Sequence, residues 1–514
     1  MSRRFGGVFA LTFAAQLIGN LQGLVVLPIV VRWAGPATYG AYVLVNITVA
    51  QFLPLLTTGI SYRYRRNLVS ATSYAERRRL FEPQFNFHLL AFAAISAFFL
   101  LAGRELDALF DTEGFYINPW ALVGLVGASV IQSQVSNYFR YTLRLTPFNI
   151  ALGGGPIVFV AGLAGFVAFN QALSLDQLLL VQIVSSVFVN LPFVIVMLRE
   201  LGMPRVSLPL RAFARDFRAG LSLTLDLFVD FVITSGDRYL ITAYLSVLDV
   251  GRYQPAYQLA SVILFLPRLV VTVLSPIVSR LIDMGDRAAA ERIVETSLSI
   301  LLMVGVPFVA GAAMIGPSLI LLLTNADVAE SSRWVTPLVA VGTLFCGAIW
   351  IFETVVIGLN RPKLFLFADI EGACANLCIN LVCLPLFKNI TVPAIAASVG
   401  FAVAAIGLAF HLRTFWRFNI EWSALLRYCA AAAVLCGLLW LLDFRPGEVR
   451  AVGVVYLGAS IAVGAAAYFA VLTMLGGFGR RQWAAIRDLL GSHAPQSTGE
   501  AASTLTVIEP PAGS

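Results

Sequence analysis

The sequence predicts an all-α integral membrane protein with about fourteen transmembrane helices. Of its 514 residues, 59% are hydrophobic and 12% are charged, whereas an ordinary soluble domain carries about 25% charged residues. Mean hydropathy is +0.84. The apolar runs are continuous over about 18–28 residues, the length that a helix needs to cross about 30 Å of hydrocarbon. They do not alternate every second residue, as the strands of a membrane β-barrel would.

Fourteen apolar segments are candidate spans. Arg3 and Arg4 precede a first apolar run that is too long for a cleavable signal peptide, so the first helix is predicted to remain in the protein. In chain order the predicted spans are residues 8–31, 40–62, 84–102, 119–139, 150–169, 176–198, 219–241, 254–281, 297–323, 334–357, 364–387, 391–412, 424–442 and 451–475.

Basic residues predict the side of the membrane that each loop faces, because Lys and Arg resist translocation. With the N-terminus in the cytoplasm, 26 of the 35 Lys and Arg residues fall on the cytoplasmic side and eight fall outside. The last one, Arg268, lies inside the eighth span. This bias predicts an even number of spans with both termini in the cytoplasm. The net charge of +7 then reflects topology and anionic lipids more than nucleic-acid binding.

Charged residues inside the seventh and eighth spans indicate transport of a polar cargo, because each costs about 2.5–3.5 kcal/mol on insertion scales. Arg268 lies near the middle of residues 254–281, and Asp226, Asp230 and Asp237 form one stripe on the preceding helix. Arg268 could bind a phosphate or an acidic sugar, while one of these carboxylates exchanges a proton or sodium ion. Alternatively, Asp230 and Arg268 form a static pair that joins two helices.

Other polar residues in the spans are further candidates for substrate binding. Asn20, Asn376 and Asn380 could contact sugar hydroxyls, because amides both donate and accept hydrogen bonds, or they could join helices. Arg140 and Arg144, at the cytoplasmic end of the fourth span, could receive a phosphate or serve as positive-inside anchors. The remaining amides with the same two interpretations are Gln16, Gln22, Asn46, Gln51, Gln132, Gln134 and Asn137.

Several chemistries are excluded by the motifs. The sequence contains no G-x-x-x-x-G-K-[ST] phosphate loop for ATP hydrolysis. Its three histidines are scattered, and its six cysteines lie in apolar spans, so neither a zinc site nor a nucleophile–histidine pair is predicted. We therefore expect no catalytic residues, no metal and no cofactor, apart from coupling to H⁺ or Na⁺.

A short motif recurs in the two halves of the chain. Gly40-x-Tyr42 and Gly251-x-Tyr253 stand 211 residues apart, and each opens a long helix. An even number of helices per repeat makes the two units parallel, related by a pseudo-twofold axis along the membrane normal. The predicted fold is therefore two six-helix lobes plus two C-terminal helices. Its parts are residues 1–199 (N-lobe, spans 1–6), 200–416 (C-lobe, spans 7–12), 417–480 (spans 13 and 14) and 481–514 (a cytoplasmic tail, mostly disordered).

The motifs around these repeats carry a family resemblance. The segment Leu27-Pro28-x3-Arg32-x2-Gly35-Pro36-x2-Tyr39-Gly40-x-Tyr42 resembles the signature that opens Wzx-type polysaccharide flippases. These belong to the multidrug/oligosaccharidyl-lipid/polysaccharide (MOP) exporter superfamily. Matching motifs of the second half are Gly220-x5-Asp226, Asp237-Arg238-Tyr239, Val250-Gly251-x-Tyr253-x2-Ala256, Leu274-x-Pro276, Leu359-Asn360-Arg361-Pro362-Lys363 and Asn376-x3-Asn380-x4-Pro385.

The resemblance covers about residues 5–415 and implies two helical bundles around a central cavity, alternating access and export of lipid-linked oligosaccharides. The two additional C-terminal helices depart from the common twelve-helix pattern. In that respect the chain is closer to the lipid II flippases of the same superfamily, which leaves the exact substrate open.

Together these observations predict a secondary transporter, not an enzyme. It would flip an undecaprenyl-pyrophosphate-linked oligosaccharide to the outer face of a bacterial inner membrane, with membrane lipids and a polysaccharide polymerase or export complex as partners. The alternatives are a lipid II-type flippase and a multidrug or cation antiporter of the same superfamily. A membrane polysaccharide polymerase or glycosyltransferase would need a large outer loop, and the longest predicted one has about 16 residues.

Overall fold

The computed structural model describes residues 2–68, 71, 73–103, 118–169, 173–207, 210–416, 421–442 and 450–477. These residues form sixteen α-helices and one short 3₁₀ helix, and none of them lies in a β-strand. The first half contains α1 (Ser2–Trp33), α2 (Gly35–Leu68), α3 (Tyr74–Leu101), α4 (Pro119–Tyr141), α5 (Leu145–Phe169) and α6 (Leu175–Leu201).

The second half contains ten α-helices. They are α7 (Leu210–Tyr244), α8 (Val247–Ser261), α9 (Phe265–Asp283), α10 (Arg287–Leu323), α11 (Ala326–Ser331), α12 (Val335–Gly358), α13 (Pro362–Phe387), α14 (Thr391–Leu412), α15 (Trp422–Leu441) and α16 (Arg450–Met474).

The predicted spans coincide with these helices. Within the described part of the chain, eleven helical segments are long and apolar enough to cross a membrane. The other three predicted spans correspond to α2, α4 and α7, which contain 34, 23 and 35 residues. The predicted tail at residues 481–514 lies outside the described residues.

One predicted span differs from the structure. The sequence predicts a single helix over residues 254–281, but the structure divides this segment into α8, a 3₁₀ helix at Val262–Leu264, and α9. Pro267 explains the break, because its ring nitrogen cannot donate to the Ile263 carbonyl that a regular α-helix would pair with it. The short α11 is also additional, and the Asn325 side chain caps it by accepting from the Val328 N–H at 3.0 Å.

The helices pack in the same order in both halves. In the first half α1 packs on α5, α5 on α6, and α4 on α6. Six spans later, α7 packs on α13, α13 on α14, and α12 on α14. This recurrence is the pattern that two parallel six-helix lobes produce. The helices α15 and α16 pack on α10 and lie outside both lobes; the residue limits of the predicted domains stay a prediction.

The two lobes meet where α2 packs against α7 and α8. Gly35 turns the chain from α1 into α2 with φ +86°, a conformation that glycine adopts without strain. Farther along α2, a side chain on Gly40 would lie 2.8 Å from the Gly251 nitrogen and would clash with the Val247 carbonyl oxygen. The two copies of the G-x-Y motif therefore pack against each other. We call this region, with Gly40 and Gly251 at its centre, the interlobe contact.

Candidate functional site

The break between α8 and α9 positions Arg268 in the first turn of α9. The Arg268 side chain is exposed and lines two adjoining cavities of about 520 and 480 Å³. Its guanidinium carbon lies 5.1 Å from the centroid of a Trp350 ring, within range of a cation–π interaction. The Arg268 side chain thus borders two open chambers.

The larger of these cavities is mainly apolar and is bounded by α1 of the N-lobe and by α8, α9 and α10 of the C-lobe. Its polar wall consists of Gln254, Tyr257, Gln258, Ser261 and Arg268. The apolar wall consists of Leu17, Leu21, Leu24, Val262, Ile263, Leu264, Phe265, Leu266, Leu269 and Phe308.

The smaller cavity brings Arg268 together with an acidic residue that sequence reasoning did not place in the site. Glu353 of α12 lines this cavity beside Trp350. Four charged side chains lie within electrostatic range of the buried Cys346 thiol, and we call them the charge cluster: Asp230, Arg268, Glu353 and Asp369. The predicted pairing of Asp230 with Arg268 stays a prediction. Within the described residues, no three His, Cys, Asp or Glu side chains are arranged to hold a metal ion.

Asp237, the third predicted carboxylate of α7, lies in a buried ion pair. Its side chain and that of Arg238 are 0% and 2% exposed. Asp237 accepts hydrogen bonds from Arg238 at 2.6 Å and from the Tyr253 hydroxyl at 2.7 Å. Arg238 also donates to Gln254 at 3.0 Å, and its guanidinium carbon lies 3.8 Å from the Tyr257 ring centroid. These contacts satisfy both charges as burial requires, and the ion-coupling role of Asp237 stays a prediction.

A third cavity, of about 280 Å³, lies between the lobes and shares Gln254 and Gln258 with the 520 Å³ cavity. Across it, the Tyr39 hydroxyl donates to Gln258 Oε1 at 2.9 Å. Within the N-lobe, Gln182 donates to Asn46 Oδ1 at 2.6 Å. Asn46, which the sequence leaves open between helix packing and sugar contact, therefore joins two helices and also lines a cavity.

The two predicted arginines near the end of α4 lie away from these cavities. Arg144, in the connection between α4 and α5, donates to Glu200, which also accepts from the Tyr138 hydroxyl at 2.7 Å. The hydrogen bond that Arg144 donates to Glu200 raises the pKa of Arg144 above its ordinary value. Arg140 is exposed, with its guanidinium carbon 5.8 Å from the Phe148 ring centroid. Neither lines the three cavities described above.

The predicted asparagines of α13 lie inside the C-lobe. Asn376 and Asn380 are both 0% exposed, and Asn380 donates to Asn376 Oδ1 at 3.0 Å. Asn376 packs against Gly400 of α14, where a methyl group would lie 3.0 Å from its Cβ. The side chains of Asn20 and Asp226 are not among those that the structure describes. Substrate binding by these four residues stays a prediction.

Sequence reasoning did not assign Trp350, Glu353, Gln182 and Gln258 to the site. Trp350 and Glu353 stand at i and i+3 in a predominantly apolar span, a spacing that places both on one helix face. Gln258 lies about two turns after the repeated motif at Gly251. Nothing in the sequence pairs Gln182 with Asn46, which is 136 residues away.

Solved structures with the same fold are flippases and transporters. The structure described as lipid II flippase MurJ in an inward closed conformation matches with a TM-score of 0.70 and 12% identity, covering 91% of this chain and 98% of that one. An inward-facing multidrug resistance MATE transporter of the MOP superfamily matches with a TM-score of 0.60 and 13% identity, covering 78% and 98%. An outward-facing multidrug resistance MATE transporter of the MOP superfamily matches with a TM-score of 0.51 and 14% identity, covering 79% of this chain and 93% of that one.

Sequence comparison identifies the family. No curated protein sequence matches the chain. Residues 29–332, more than half of the chain, match the family described as polysaccharide biosynthesis protein. The fold similarity covers 91% of the chain and so continues beyond the end of this match. The chain therefore belongs to the polysaccharide biosynthesis protein family and is a multi-pass membrane protein with the same fold as those flippase and transporter structures.

Proposed function

We propose that this protein flips an undecaprenyl-pyrophosphate-linked oligosaccharide from the cytoplasmic to the outer face of a bacterial inner membrane. The observation that carries the proposal is the position of Arg268, which lines both large cavities at the break between α8 and α9. A planar guanidinium can hold two phosphate oxygens at once. The pyrophosphate is the group of the cargo that most needs a positive partner inside the membrane.

The apolar wall of the larger cavity suits the other end of the same cargo. Leucine side chains of α1 and α9 and the Phe308 side chain line this cavity beside Arg268. A polyprenyl chain would gain free energy from contact with such a surface, at roughly 25 cal/mol per Å² of apolar area buried. A free sugar nucleotide would make no use of this wall.

The orientation of the molecule follows from the basic loops. With both termini in the cytoplasm, the interlobe contact lies toward the outer face, since α1 ends and α2 begins there. The cavities around Arg268 would then receive cargo from the cytoplasmic side. Separation of Gly40 from Gly251 would open the outer side, where a polysaccharide polymerase or export complex would take the product.

Two sources of driving force are available. Moving an anion outward along a negative-inside potential contributes about 2.3 kcal/mol per charge per 100 mV. The carboxylates of Asp230 and Glu353, in the same charge cluster as Arg268, could also exchange a proton or a sodium ion. Cation antiport would then restore the site after each cargo is released.

Replacement of Arg268 tests the proposal. Purified Arg268→Ala protein in proteoliposomes should lose at least about 90% of the translocation of a polyprenyl-pyrophosphate-linked oligosaccharide, as expected when about 1.4 kcal/mol or more of binding is removed. Arg268→Lys should keep part of the activity, because an ammonium keeps the positive charge but cannot bind two phosphate oxygens in the planar geometry of a guanidinium. Arg280→Ala, on the exposed side of the same helix, is the matched control.

Normal translocation by Arg268→Ala would contradict the proposed role. The acidic cluster also favours a second candidate, a multidrug or cation antiporter of the same superfamily. A test in proteoliposomes separates the two candidates. Export of an organic cation in exchange for protons or sodium ions, without translocation of the lipid-linked oligosaccharide, would support the antiporter and exclude the flippase.

A further inference from the structure

The cavity between the lobes has an unusual lining for a membrane protein. Five amide side chains and two tyrosines surround about 280 Å³, at the lower limit of the roughly 300–1,000 Å³ typical of ligand sites. None of its described lining residues is charged. We call it the amide cavity, and its polar lining residues are Gln22, Tyr39, Tyr42, Asn46, Gln182, Gln254 and Gln258.

The hydrogen bonds already made by these amides leave a defined set of groups for a ligand. The Oε1 atoms of Gln254 and Gln258 accept from Arg238 and Tyr39, so their NH₂ groups are the ends that can donate. Gln182 donates to Asn46, but its own Oε1 atom is buried and has no hydrogen-bond partner in the described structure. An unsatisfied buried carbonyl costs free energy that a donor from a ligand would recover.

Gln22 adds a second amide whose bonding capacity is not used by the fold. Its side chain lines the amide cavity from α1, and no described residue forms a hydrogen bond with it. An amide group both donates and accepts. Together with Gln182, it offers donors and acceptors from two different helices of the N-lobe to a ligand in the cavity.

We infer that the amide cavity binds an uncharged sugar of the lipid-linked cargo, one that carries hydroxyl or acetamido groups. This inference rests on the proposed function. Sugar hydroxyls donate and accept in the same way as the amides. A sugar carboxylate would be desolvated there without a cation, because the Arg238 guanidinium, which donates to the lining residue Gln254, is buried and bound to Asp237.

The arrangement of the cavities fits one extended cargo. Gln254 and Gln258 line both the amide cavity and the larger cavity that contains Arg268. A pyrophosphate at Arg268 would therefore place the first sugars toward the amides, with the polyprenyl chain along the leucines of α1. One molecule would contact all three surfaces.

Sugar binding at this position would also act on the interlobe contact. The hydrogen bond from Tyr39 to Gln258 joins α2 of the N-lobe to α8 of the C-lobe. A sugar hydroxyl that takes the place of Tyr39 at Gln258 Oε1 removes a bond that keeps the lobes together. Neutral sugar in the cavity would thereby favour opening of the outer side, so that the loaded protein opens more readily than the empty one.

Binding of three probes to the purified full-length protein tests the inference. The probes are a polyprenyl pyrophosphate without sugar, the same lipid with a neutral acetamido-sugar disaccharide, and the same lipid with a disaccharide that contains a uronic acid. Native mass spectrometry in nanodiscs gives each affinity. Wild-type protein should bind the neutral-sugar lipid about tenfold more tightly than the bare lipid, equivalent to one or two net hydrogen bonds.

Two variants separate the sugar site from the phosphate site. In wild-type protein the neutral disaccharide should raise the affinity for the lipid about tenfold. Gln22→Leu and Gln182→Leu should each reduce this increase to about threefold or less, while the affinity for the bare lipid stays unchanged. Gln16→Leu, an exposed amide on the same helix as Gln22, is the matched control and should keep the full gain. Arg268→Ala should weaken binding of all three probes.

The outcomes distinguish the two proposals. Equal binding of the bare and neutral-sugar lipids by wild-type protein, tighter binding of the uronic-acid lipid, or a full gain in both glutamine variants would each overturn the sugar site and leave the flippase proposal standing. Wild-type protein that binds none of the three lipids would overturn the proposed function, and the sugar site with it.

Discussion

Gly40 of the N-lobe and Gly251 of the C-lobe lie against each other, and the contact is reciprocal. A methyl group on Gly40 would lie 2.8 Å from the Gly251 nitrogen, and one on Gly251 would lie 3.2 Å from the Gly40 nitrogen. Residues next to a twofold axis contact their own counterparts in this way. The recurring G-x-Y motif therefore has a structural reason: glycine at this position lets the backbones of the two lobes touch.

Alanine at Gly251 should prevent this close approach. A methyl group there meets the Pro36 carbonyl, and overpacking of this kind typically costs about 1–3 kcal/mol. We expect Gly251→Ala to lower the melting temperature of the purified protein and to reduce translocation in proteoliposomes. Gly155→Ala is the control, because no atom lies within 4 Å of its added methyl group and alanine favours a helix. Similar melting temperatures for the two variants would contradict the prediction.

The buried pair of Asp237 and Arg238 should stabilise the fold. Asp237→Ala leaves the guanidinium buried without its counter-charge, which costs about 3–5 kcal/mol. Tyr253→Phe removes one donor to Asp237 and should cost about 1–3 kcal/mol. In detergent, the melting temperature of Asp237→Ala should be lower than that of Tyr253→Phe. The exposed control Tyr244→Phe should melt near the wild-type temperature. If Asp237→Asn keeps its stability and changes only the ion dependence of transport, Asp237 couples ions instead.

Asp230 is the carboxylate of α7 that we expect to affect coupling. It is exposed and interacts with the same thiol, that of Cys346, as Arg268 does. Asp230→Asn keeps the size of the side chain but cannot bind or release a proton. Translocation in proteoliposomes should therefore change its dependence on pH or on sodium, whereas Asp283→Asn, at the exposed end of α9, should not change it. An unaltered dependence in Asp230→Asn would assign this residue to structure.

Arg144 and Arg140 should differ in their effects. Arg144 is bound to Glu200 but is 35% exposed, so solvent screening limits the loss in Arg144→Ala to about 1 kcal/mol. Arg140 is exposed and makes no ion pair with a described residue. If Arg140 receives the cargo, Arg140→Ala reduces the initial rate of uptake and leaves the melting temperature unchanged. If Arg144→Ala gives the larger loss of rate, with no loss of stability, the two roles are reversed.

The amino-acid sequence determined the membrane class and the placement of the helices. In the hydrocarbon layer, backbone N–H and C=O groups must form hydrogen bonds within the segment itself, as they do in a helix. Continuous apolar runs are therefore sufficient to locate the spans. The same argument makes Arg268 a candidate site residue, because a charge at that depth is costly enough to indicate function. The motif at Gly40 and Gly251 likewise indicates a repeat from local sequence alone.

Only the tertiary structure decided which residues share a cavity. Tyr39 and Gln258 are 219 residues apart and Asn46 and Gln182 are 136 apart, so their pairing depends on how the helices of two lobes pack. The same amide group has different surroundings at different positions. Asn376 and Asn380 are buried between helices, whereas Gln182 lines a cavity. Periodicity reports which face of a helix is apolar, but hydrogen bonds between helices depend on contacts that no local pattern encodes.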